Sequence, residues 1–143
     1  MSTSDFDPAA EGWEPVPDAG FIDHVGPFWQ RLEGSGRAYG FAARDHHANL
    51  LGVVQGGMIM TFADRVFGLE AWAAADQTPC VTVQFSCQFI AATPLRTFVT
   101  TQPEIVRKTR SLVFVEGRVF SNDALVASCQ GVWKIVARRP KTP

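Results

Sequence analysis

One long apolar segment, from Gly57 to about Ala75, restricts the possible folds of this chain more than any other feature. Its sequence, GMIMTFADRVFGLEAWAAA, is rich in Met, Leu and Ala, which favour helix. Pro79 marks its end, because proline cannot continue a helix. Apolar side chains occupy nearly the whole circumference, and a helix of this kind is buried on all sides. The rest of the chain is therefore expected to wrap around it.

The pattern changes to strands on both sides of this helix. Residues 36–44 read as a strand before it, and a short helix is expected over Gly26–Leu32, with Pro27 in its first turn. After the helix, residues 80–90 alternate strictly between apolar and polar side chains. Three more strands are predicted at 95–107, where Pro103 suggests a bulge or an edge, at 110–121, and at 124–137 after a tight turn at Asn122-Asp123. The apolar face of the first of these four strands comprises Val81, Val83, Phe85, Cys87 and Phe89.

This order of elements predicts an α+β fold in which a curved antiparallel sheet wraps around one long buried helix. The short connections among the last four strands favour an antiparallel meander. The chain of 143 residues has the length of one domain. We expect a flexible N-terminal arm at 1–20, one domain at 21–138 and a basic tail at 139–143.

Composition argues against several classes of partner. The net charge is -1, so no long-range attraction to nucleic acid or to an anionic membrane is expected. No apolar run approaches the ~20 residues that span a bilayer, and the N-terminus lacks the features of a secretory signal. The three cysteines form no CxxC pair and read as reduced, packed thiols. A soluble, cytoplasmic protein is expected.

Asp64 is the most informative residue for function. It lies about two turns into the apolar helix, too far for a capping role, and no Lys or Arg stands three or four residues away. A buried carboxylate without a partner would be costly, and such placements often mark working sites. The alternative interpretation is a narrow solvent-facing stripe that Asp64 shares with Arg65.

The loop before the helix carries further candidates. Gly56 and Gly57 allow close approach to the backbone, and the first N–H groups of a helix can bind an oxygen that becomes negative. The alternative is a simple turn. Asn49 and Gln55 could orient a water or a carbonyl, or could hold the loop. The adjacent His46 and His47 lack a third ligand at a set distance, so a metal site is not expected.

A basic cluster, Arg107, Lys108 and Arg110, falls where two predicted strands meet. It is either a solvated turn or a clamp for phosphates. The chain contains no GxSxG motif and no nucleotide-binding glycine loop, so a serine-hydrolase elbow and a nucleotide site are unsupported.

Taken together, these segments resemble the PaaI-like branch of the hotdog-fold acyl-CoA thioesterases. That family carries a pattern like HxNxxGxxHGGxxxxxxD, and the spacing here matches it without insertion. The later segments CVTVQFSCQFIAATP, RKTRSLVFVEGRVF and LVASCQGVWKI are also similar to the family's strands, so the resemblance covers roughly residues 26–137. The matching positions of the pattern are His47, Asn49, Gly52, Gln55, Gly56, Gly57 and Asp64.

The resemblance implies roles for these residues. Asp64 would be the nucleophile or the general base, the Gly56 amide would polarise the thioester carbonyl, and Asn49 would place the water or the carboxylate. Thr82 matches a Ser/Thr position that assists from the facing subunit. Family members are homodimers joined edge to edge by their sheets, often paired into tetramers, and need no cofactor because coenzyme A belongs to the substrate. The positions that match the family's CoA-binding segments are Gly57, Arg107, Lys108, Arg110 and Ser111.

One position departs from the family pattern, because Gln55 stands where His is usual. A glutamine donates and accepts hydrogen bonds but does not titrate near neutral pH. A non-catalytic protein that binds acyl-CoA or an aromatic ligand is therefore an alternative to a thioesterase, and a hotdog hydratase is a third interpretation. The acyl group could be aryl or of medium length if aromatic side chains line its pocket, although they could equally form the core. These side chains are Phe28, Trp29, Phe62, Phe67 and Trp72.

Overall fold

The central element is a 19-residue helix, α2, which spans Gly56–Ala74 in a computed structural model that describes residues 6–136. The predicted helix is thus confirmed to within one residue at each end. Its buried side chains cover more than half of its circumference, whereas Thr61, Asp64 and Arg65 on the remaining side are only partly buried. The helix ends before Asp76 and Gln77, both of which have positive φ. The buried residues of α2 are Met58, Ile59, Phe62, Ala63, Val66, Phe67, Gly68 and Ala71.

An eight-stranded antiparallel sheet wraps this helix, and its strand order is β1-β2-β3-β5-β7-β8-β4, with β6 paired to β7. The predicted α+β architecture is therefore confirmed. The strands are β1 (Glu14–Pro15), β2 (Trp29–Glu33), β3 (Gly36–Ala42), β4 (Cys80–Phe89), β5 (Phe98–Thr101), β6 (Glu104–Lys108), β7 (Leu112–Ser121) and β8 (Ala124–Ile135).

The predicted meander of the last four strands is wrong for β4. This strand does not pair with β5, which follows it, but with β8 at the far edge of the sheet. The connection between β4 and β5 instead crosses beside the loop that precedes α2, where the Val54 N–H donates to the carbonyl of Thr93. As a result β4 has one paired edge and one free edge among the described residues.

The helix expected over Gly26–Leu32 is also wrong. A five-residue helix, α1, occupies Phe21–Val25, and the chain is extended from Trp29 onward as β2. Strand β2 pairs with β3 across a turn at Gly34, whose φ of 59° suits glycine. Ladder hydrogen bonds to β3 thus outweigh the local helical preference of this short segment.

The N-terminal segment from Phe6 to Gly20, which we expected to be part of a flexible arm, lies on the chain's own domain. Trp13 is 5% exposed and packs edge-on against Phe98, which also contacts Phe6. Asp18 forms an ion pair with Arg65 of α2. Trp13 and Phe98 thus form a small apolar cluster with Ala38, separate from the core around α2, whereas Asp18 reaches the helix. The basic tail at 139–143 lies outside the described residues.

The other predicted strand boundaries hold with one division. The segment predicted as a single strand over 95–107 is split into β5 and β6 around Gln102-Pro103, because proline cannot donate to the ladder. The turn at Asn122-Asp123 is confirmed, and Asn122 has a φ of 51°. Both halves of the split strand still pair with β7.

Candidate active site

The N-terminus of α2 is capped by Gln55. Its side-chain oxygen accepts a hydrogen bond from the Met58 N–H at 3.1 Å. A Cβ atom on Gly57 would lie 2.5 Å from the same oxygen, so the absence of a side chain at Gly57 leaves space for the Gln55 side chain. The N–H groups of Gly56 and Gly57 have no partner within the helix and lie at the positive end of its dipole. They are placed to bind an oxygen that carries negative charge.

A cavity of about 360 Å³ opens directly beside these amides. Ile59, 2% exposed, forms part of its buried wall, and the ring of Phe89 lies over Gly56. A Cβ atom on Gly56 would come within 3.2 Å of that ring. Its lining side chains are apolar except for that of Thr93, which suits a hydrocarbon group, although polar atoms form nearly half of the exposed surface. The lining consists of Val54, Gly56, Ile59, Phe89, Ile90, Ala91, Ala92 and Thr93.

Asp64 is half-buried on α2, and its carboxylate accepts a hydrogen bond of 2.7 Å from the hydroxyl of Thr82. Arg65 points elsewhere, as predicted, and pairs with Asp18. Thr82 was expected to assist from the facing subunit, but here it reaches the carboxylate of its own chain. Asp64 thus has a fixed orientation and an accessible second side.

The contact between Thr82 and Asp64 depends on a bulge in β4. The register between β4 and β8 shifts between Thr82 and Gln84, so Val83 is an extra residue. The bulge turns Thr82 toward the helix, while Phe85 faces the same way three residues later and contacts Phe67. The prediction that Val81 and Val83 share the inward face with Phe85 is therefore wrong, and both valines are exposed.

Gly56 and Asp64 are not brought together within one chain. They lie eight residues apart on a helix, which places them ~12 Å apart along its axis at 1.5 Å per residue. One thioester carbonyl cannot contact both groups at that distance. A single copy therefore holds two half-sites at the two ends of β4, one at Thr82 and one at Phe89.

Asn49 and His47 hold the loop that precedes α2. The Asn49 side-chain oxygen accepts hydrogen bonds from the N–H groups of Leu51 and Val53, at 2.8 and 3.3 Å. The His47 ring, 4% exposed, accepts from the Arg44 N–H at Nδ1 and donates from Nε2 to the carbonyl of Val25. Burial lowers the pKa of His47 and favours this neutral form. Asn49 and His47 therefore stabilise the conformation of the loop before α2.

The four candidates for CoA binding outside α2 lie at the turn between β6 and β7. Their side chains are exposed, and the turn itself is closed by Thr109, whose hydroxyl accepts from the Leu112 N–H at 3.0 Å. Lys108 pairs with Val113, Val113 with Trp133, and Trp133 with Thr82. Three strand spacings of ~4.8 Å thus separate the cluster from Thr82 along one row of the sheet. The four residues are Arg107, Lys108, Arg110 and Ser111.

Several aromatic residues that were considered for the acyl pocket lie in the hydrophobic core. Phe28, Phe62 and Phe67 are at most 1% exposed and pack within the core, so they do not line the cavity beside Gly56. Trp72 donates to the carbonyl of Cys80. Within residues 6–136, no group of His, Cys, Asp and Glu side chains could hold a metal ion. In the same range no helix has the length and hydropathy needed to cross a bilayer.

Two features of the site were missed from the sequence. Phe89 was assigned to the apolar face of β4, and nothing in its local pattern indicates that its ring covers a helix N-terminus. The bulge at Val83 was also missed, because three β-branched residues in succession, Val81 to Val83, suit a regular strand equally well. Only the pairing with β8 identifies the extra residue.

The fold and the sequence together define the class of this protein. The family model described as "Thioesterase superfamily" matches residues 51–128, more than half of the chain, so the protein belongs to that superfamily. A Pseudomonas aeruginosa protein named "Putative esterase" is 27% identical over 129 residues, which cover 87% of this chain and 96% of that protein.

Solved structures share the hotdog fold. A Bacillus halodurans protein crystallised with CoA superposes with a TM-score of 0.76 at 18% identity, over 85% of this chain and 82% of that one. A mutant of the phenylacetic acid degradation protein PaaI of Thermus thermophilus gives a TM-score of 0.72 at 20% identity, over 81% and 98%. Zebrafish thioesterase superfamily member 2 gives 0.75 at 17%, over 83% and 88%. The resemblance stated from the sequence is confirmed.

Proposed function

We propose that this protein hydrolyses acyl-CoA thioesters to a free acid and CoA, with Asp64 as the reacting carboxylate. The observation that carries this proposal is the 2.7 Å hydrogen bond from Thr82 to Asp64 in a half-buried position. This hydrogen bond orients one oxygen of the Asp64 carboxylate, and the other oxygen is available to react with the substrate or with water. A member of the thioesterase superfamily needs such a group to attack a carbonyl or to activate water.

The reaction requires a carbon–sulfur bond to break and a carbon–oxygen bond to form. Asp64 either removes a proton from the attacking water or adds to the carbonyl carbon itself and is then released by water. In both routes the carbonyl oxygen becomes negative and CoA leaves as its thiol after taking up a proton. The Gly56 N–H, at the positive end of α2, would stabilise that negative oxygen.

The functional unit in this proposal is a dimer, because Gly56 and Asp64 of one chain are ~12 Å apart. The free edge of β4 supplies a dimerisation surface, since exposed apolar edge strands tend to pair with another chain. Antiparallel pairing of two β4 strands about a two-fold axis would place the Thr82 end of one strand beside the Phe89 end of the other. Each site would then combine Asp64 and Thr82 of one copy with Gly56 of its partner. Further pairing into a tetramer is part of the proposal.

In this proposal the protein recognises its substrate by the CoA group, and the exposed basic residues at the turn between β6 and β7 bind the CoA phosphates. Arg107, Lys108 and Arg110 are exposed, lie at the same end of the sheet as Thr82, and offer charged donors to phosphate groups. Ser111 and the Gly57 N–H would contact the arm of the substrate. The structural neighbour from Bacillus halodurans was crystallised with CoA, which supports recognition by the CoA group.

The experiment that tests the proposal is a thiol-release assay with a panel of CoA esters, from acetyl through long-chain acyl to benzoyl and phenylacetyl. Asp64→Asn should lower kcat by on the order of a hundredfold or more, because an amide neither attacks a carbonyl nor accepts a proton from water. Asp23→Asn, on the exposed helix α1, is the matched control and should behave as wild type. Full activity of Asp64→Asn would overturn the assignment.

Gln55 bears on the alternative of a non-catalytic binding protein. In its position as the cap of α2, Gln55 needs only an accepting oxygen, and this role is compatible with catalysis by Asp64. If the wild-type protein binds CoA esters but releases no thiol from any of them, the binding function is correct. Gln55→His would then be the substitution to test for recovery of hydrolysis.

A further inference from the structure

The cavity beside the α2 N-terminus has one wall that can change without disturbing the core. Ile59 and Val54 are buried core residues, whereas Phe89, which also lines the cavity, is 53% exposed. Phe89 is the last residue of β4, and its backbone stays paired with Ala127 of β8. Its ring can therefore be exchanged with little loss of packing inside its own chain. In the proposed dimer, however, the ring lies beside the partner strand, so the assembly of each variant has to be compared with that of wild type.

The Phe89 ring also lies at the position where a bound thioester would pass from the carbonyl to the acyl group. Three of its carbons lie 3.2 to 3.8 Å from a Cβ atom built on Gly56. An acyl group whose carbonyl oxygen meets the Gly56 N–H would therefore extend from the edge of this ring into the apolar cavity. The volume of about 360 Å³ lies near the lower end of the range for ligand pockets and suits a compact group.

We propose that Phe89 determines acyl specificity and that the cavity selects compact acyl groups, such as benzoyl or hexanoyl, over long chains. The inference deepens the proposed thioesterase function and rests on it. Phe89 borders the open cavity at the end of β4. A long chain would have to pass the ring, whereas a flat aromatic or short aliphatic group can pack against it. Removal of the ring would widen the cavity beside Ile90 and Ala91, which are exposed and already line it.

The test compares wild type, Phe89→Ala and Phe89→Leu on hexanoyl-, benzoyl-, dodecanoyl- and palmitoyl-CoA. For Phe89→Ala, the ratio of kcat/KM for dodecanoyl-CoA to that for benzoyl-CoA should rise by roughly tenfold or more, as expected when a hydrophobic pocket changes its size. Phe89→Leu should give an intermediate ratio. Phe21→Ala removes an exposed ring from α1 and should leave the ratio unchanged. Size-exclusion chromatography of each variant checks that the assembly is the same.

A second variant tests the contact itself. Gly56→Ala keeps the N–H group but places a methyl group 3.2 Å from the Phe89 ring, which must then shift by a few tenths of an ångström. This change should lower kcat/KM severalfold in the presence of Phe89 and much less in the Phe89→Ala background. Equal losses in both backgrounds would show that the ring does not border the bound acyl group.

Binding of thioether analogues separates this inference from the proposed function. S-hexyl-CoA and S-dodecyl-CoA cannot be hydrolysed, and calorimetric titration gives their Kd values directly. Phe89→Ala should shift the Kd ratio toward the dodecyl compound, whether or not the protein is catalytic. Hydrolysis by wild type with an unchanged chain-length profile in Phe89→Ala overturns the role of Phe89 alone. Absence of hydrolysis together with a shifted Kd ratio overturns only the thioesterase proposal.

Discussion

At the scale of single residues, the hydroxyl of Thr82 is the only neutral side-chain donor that the described part of the chain directs at the Asp64 carboxylate. A hydrogen bond to a charged group contributes more than one between neutral groups, about 1.5–3 kcal/mol. In the proposed mechanism it fixes the direction from which the carboxylate approaches the carbonyl. Thr82 is therefore expected to influence turnover more than stability.

Substitution of Thr82 by valine retains the shape of the side chain and removes the hydroxyl. We expect kcat to fall by roughly tenfold to a hundredfold, since ~1.4 kcal/mol corresponds to a factor of ten. KM should change little, because Thr82 does not contact the CoA group in this arrangement. Thr82→Ser, which keeps the hydroxyl, should retain most of the activity, and a loss as large as that of Thr82→Val would contradict the role of the hydrogen bond. Steady-state kinetics of thiol release measure all three proteins.

His47 predicts a pH dependence of stability. Burial lowers its pKa in the folded protein below the ~6.5 of an unfolded chain. The unfolded state therefore binds a proton first as the pH falls, so the contribution of His47 is fully present above pH ~6.5 and is lost below it, by at most ~1.4 kcal/mol per pH unit. Urea unfolding between pH 8 and 5 should show this slope in wild type and a smaller one in His47→Gln. His46→Gln, at an exposed neighbouring position, should keep most of the wild-type slope, because burial lowers the pKa of His47 more than the charge of His46 does.

At the scale of elements, the N-terminus of α2 joins stability and function. Gln55 accepts from the Met58 N–H with both its backbone carbonyl and its side-chain oxygen, at 2.9 and 3.1 Å, and leaves the N–H groups of Gly56 and Gly57 to a ligand. The loop before α2 also fixes the position of Gln55, because the Gln55 N–H donates to the carbonyl of His47 at 2.8 Å. The cap thus holds the first turn of α2 in place while the N–H groups of Gly56 and Gly57 stay available to an oxygen of a ligand.

Loss of this cap should destabilise the protein. We expect Gln55→Ala to lower the free energy of unfolding by about 1 kcal/mol, within the range of 0.5–2 kcal/mol for capping residues. Gln55→Ser supplies a hydroxyl at the cap and should recover most of that loss. Denaturant unfolding followed by circular dichroism measures both variants. An unchanged unfolding free energy in Gln55→Ala would mean that the hydrogen bond to Met58 contributes nothing net.

The elements differ in how well their sequences predict them. Helix α2 was predicted within a residue because its length, composition and all-apolar circumference agree with one another. The segment Gly26–Leu32 was predicted as a helix although β2 begins at Trp29, because seven residues are too few for periodicity to outweigh a proline in a first turn. Strand β4 was located correctly but its face and its partner were not, since a bulge and a crossover depend on pairing with distant residues.

The same contrast applies to the candidate site. Asp64 and Gly56 could be selected from the chain, because a carboxylate in an apolar helix and glycines before a helix are locally unusual, whereas Thr82 was selected only through the family resemblance. The hydrogen bond between Thr82 and Asp64 within one chain could not be foreseen, since it requires the bulge at Val83. Phe89 is an ordinary strand residue in sequence, and only tertiary structure places its ring against Gly56.

At the scale of the whole molecule, the free edge of β4 is an exposed apolar surface. Val81, Val83, Phe89 and Ile90 are each about half exposed, and they lie along or directly after one edge strand. Apolar edge strands are a liability in a monomer unless they are covered. The edge therefore fits the proposed dimer, in which each copy completes the other's site.

Mixing two inactive variants tests this shared site. Asp64→Asn removes the carboxylate, and Gly56→Pro removes the N–H at the first position of a helix, where proline is tolerated. Gln55, with a ψ of 136°, already has the backbone conformation that precedes proline. Random reassociation after mild denaturation should restore about a quarter of the wild-type activity, since half of the dimers would each regain one of two intact sites. No recovery, with mixed dimers demonstrated by mass spectrometry, would contradict a site built from two chains.

The extra residue in β4 has a consequence for comparing this chain with its relatives. Side chains of a strand alternate in steps of two, so one inserted residue exchanges odd and even positions on either side of it. A homologue with a regular β4 would have to encode its equivalent hydroxyl one position later or earlier to direct it at the helix. Alignments of this superfamily should therefore permit a one-residue gap at Val83. Without that gap, a missing threonine in the matching column says nothing about whether the carboxylate has lost its hydrogen-bond donor.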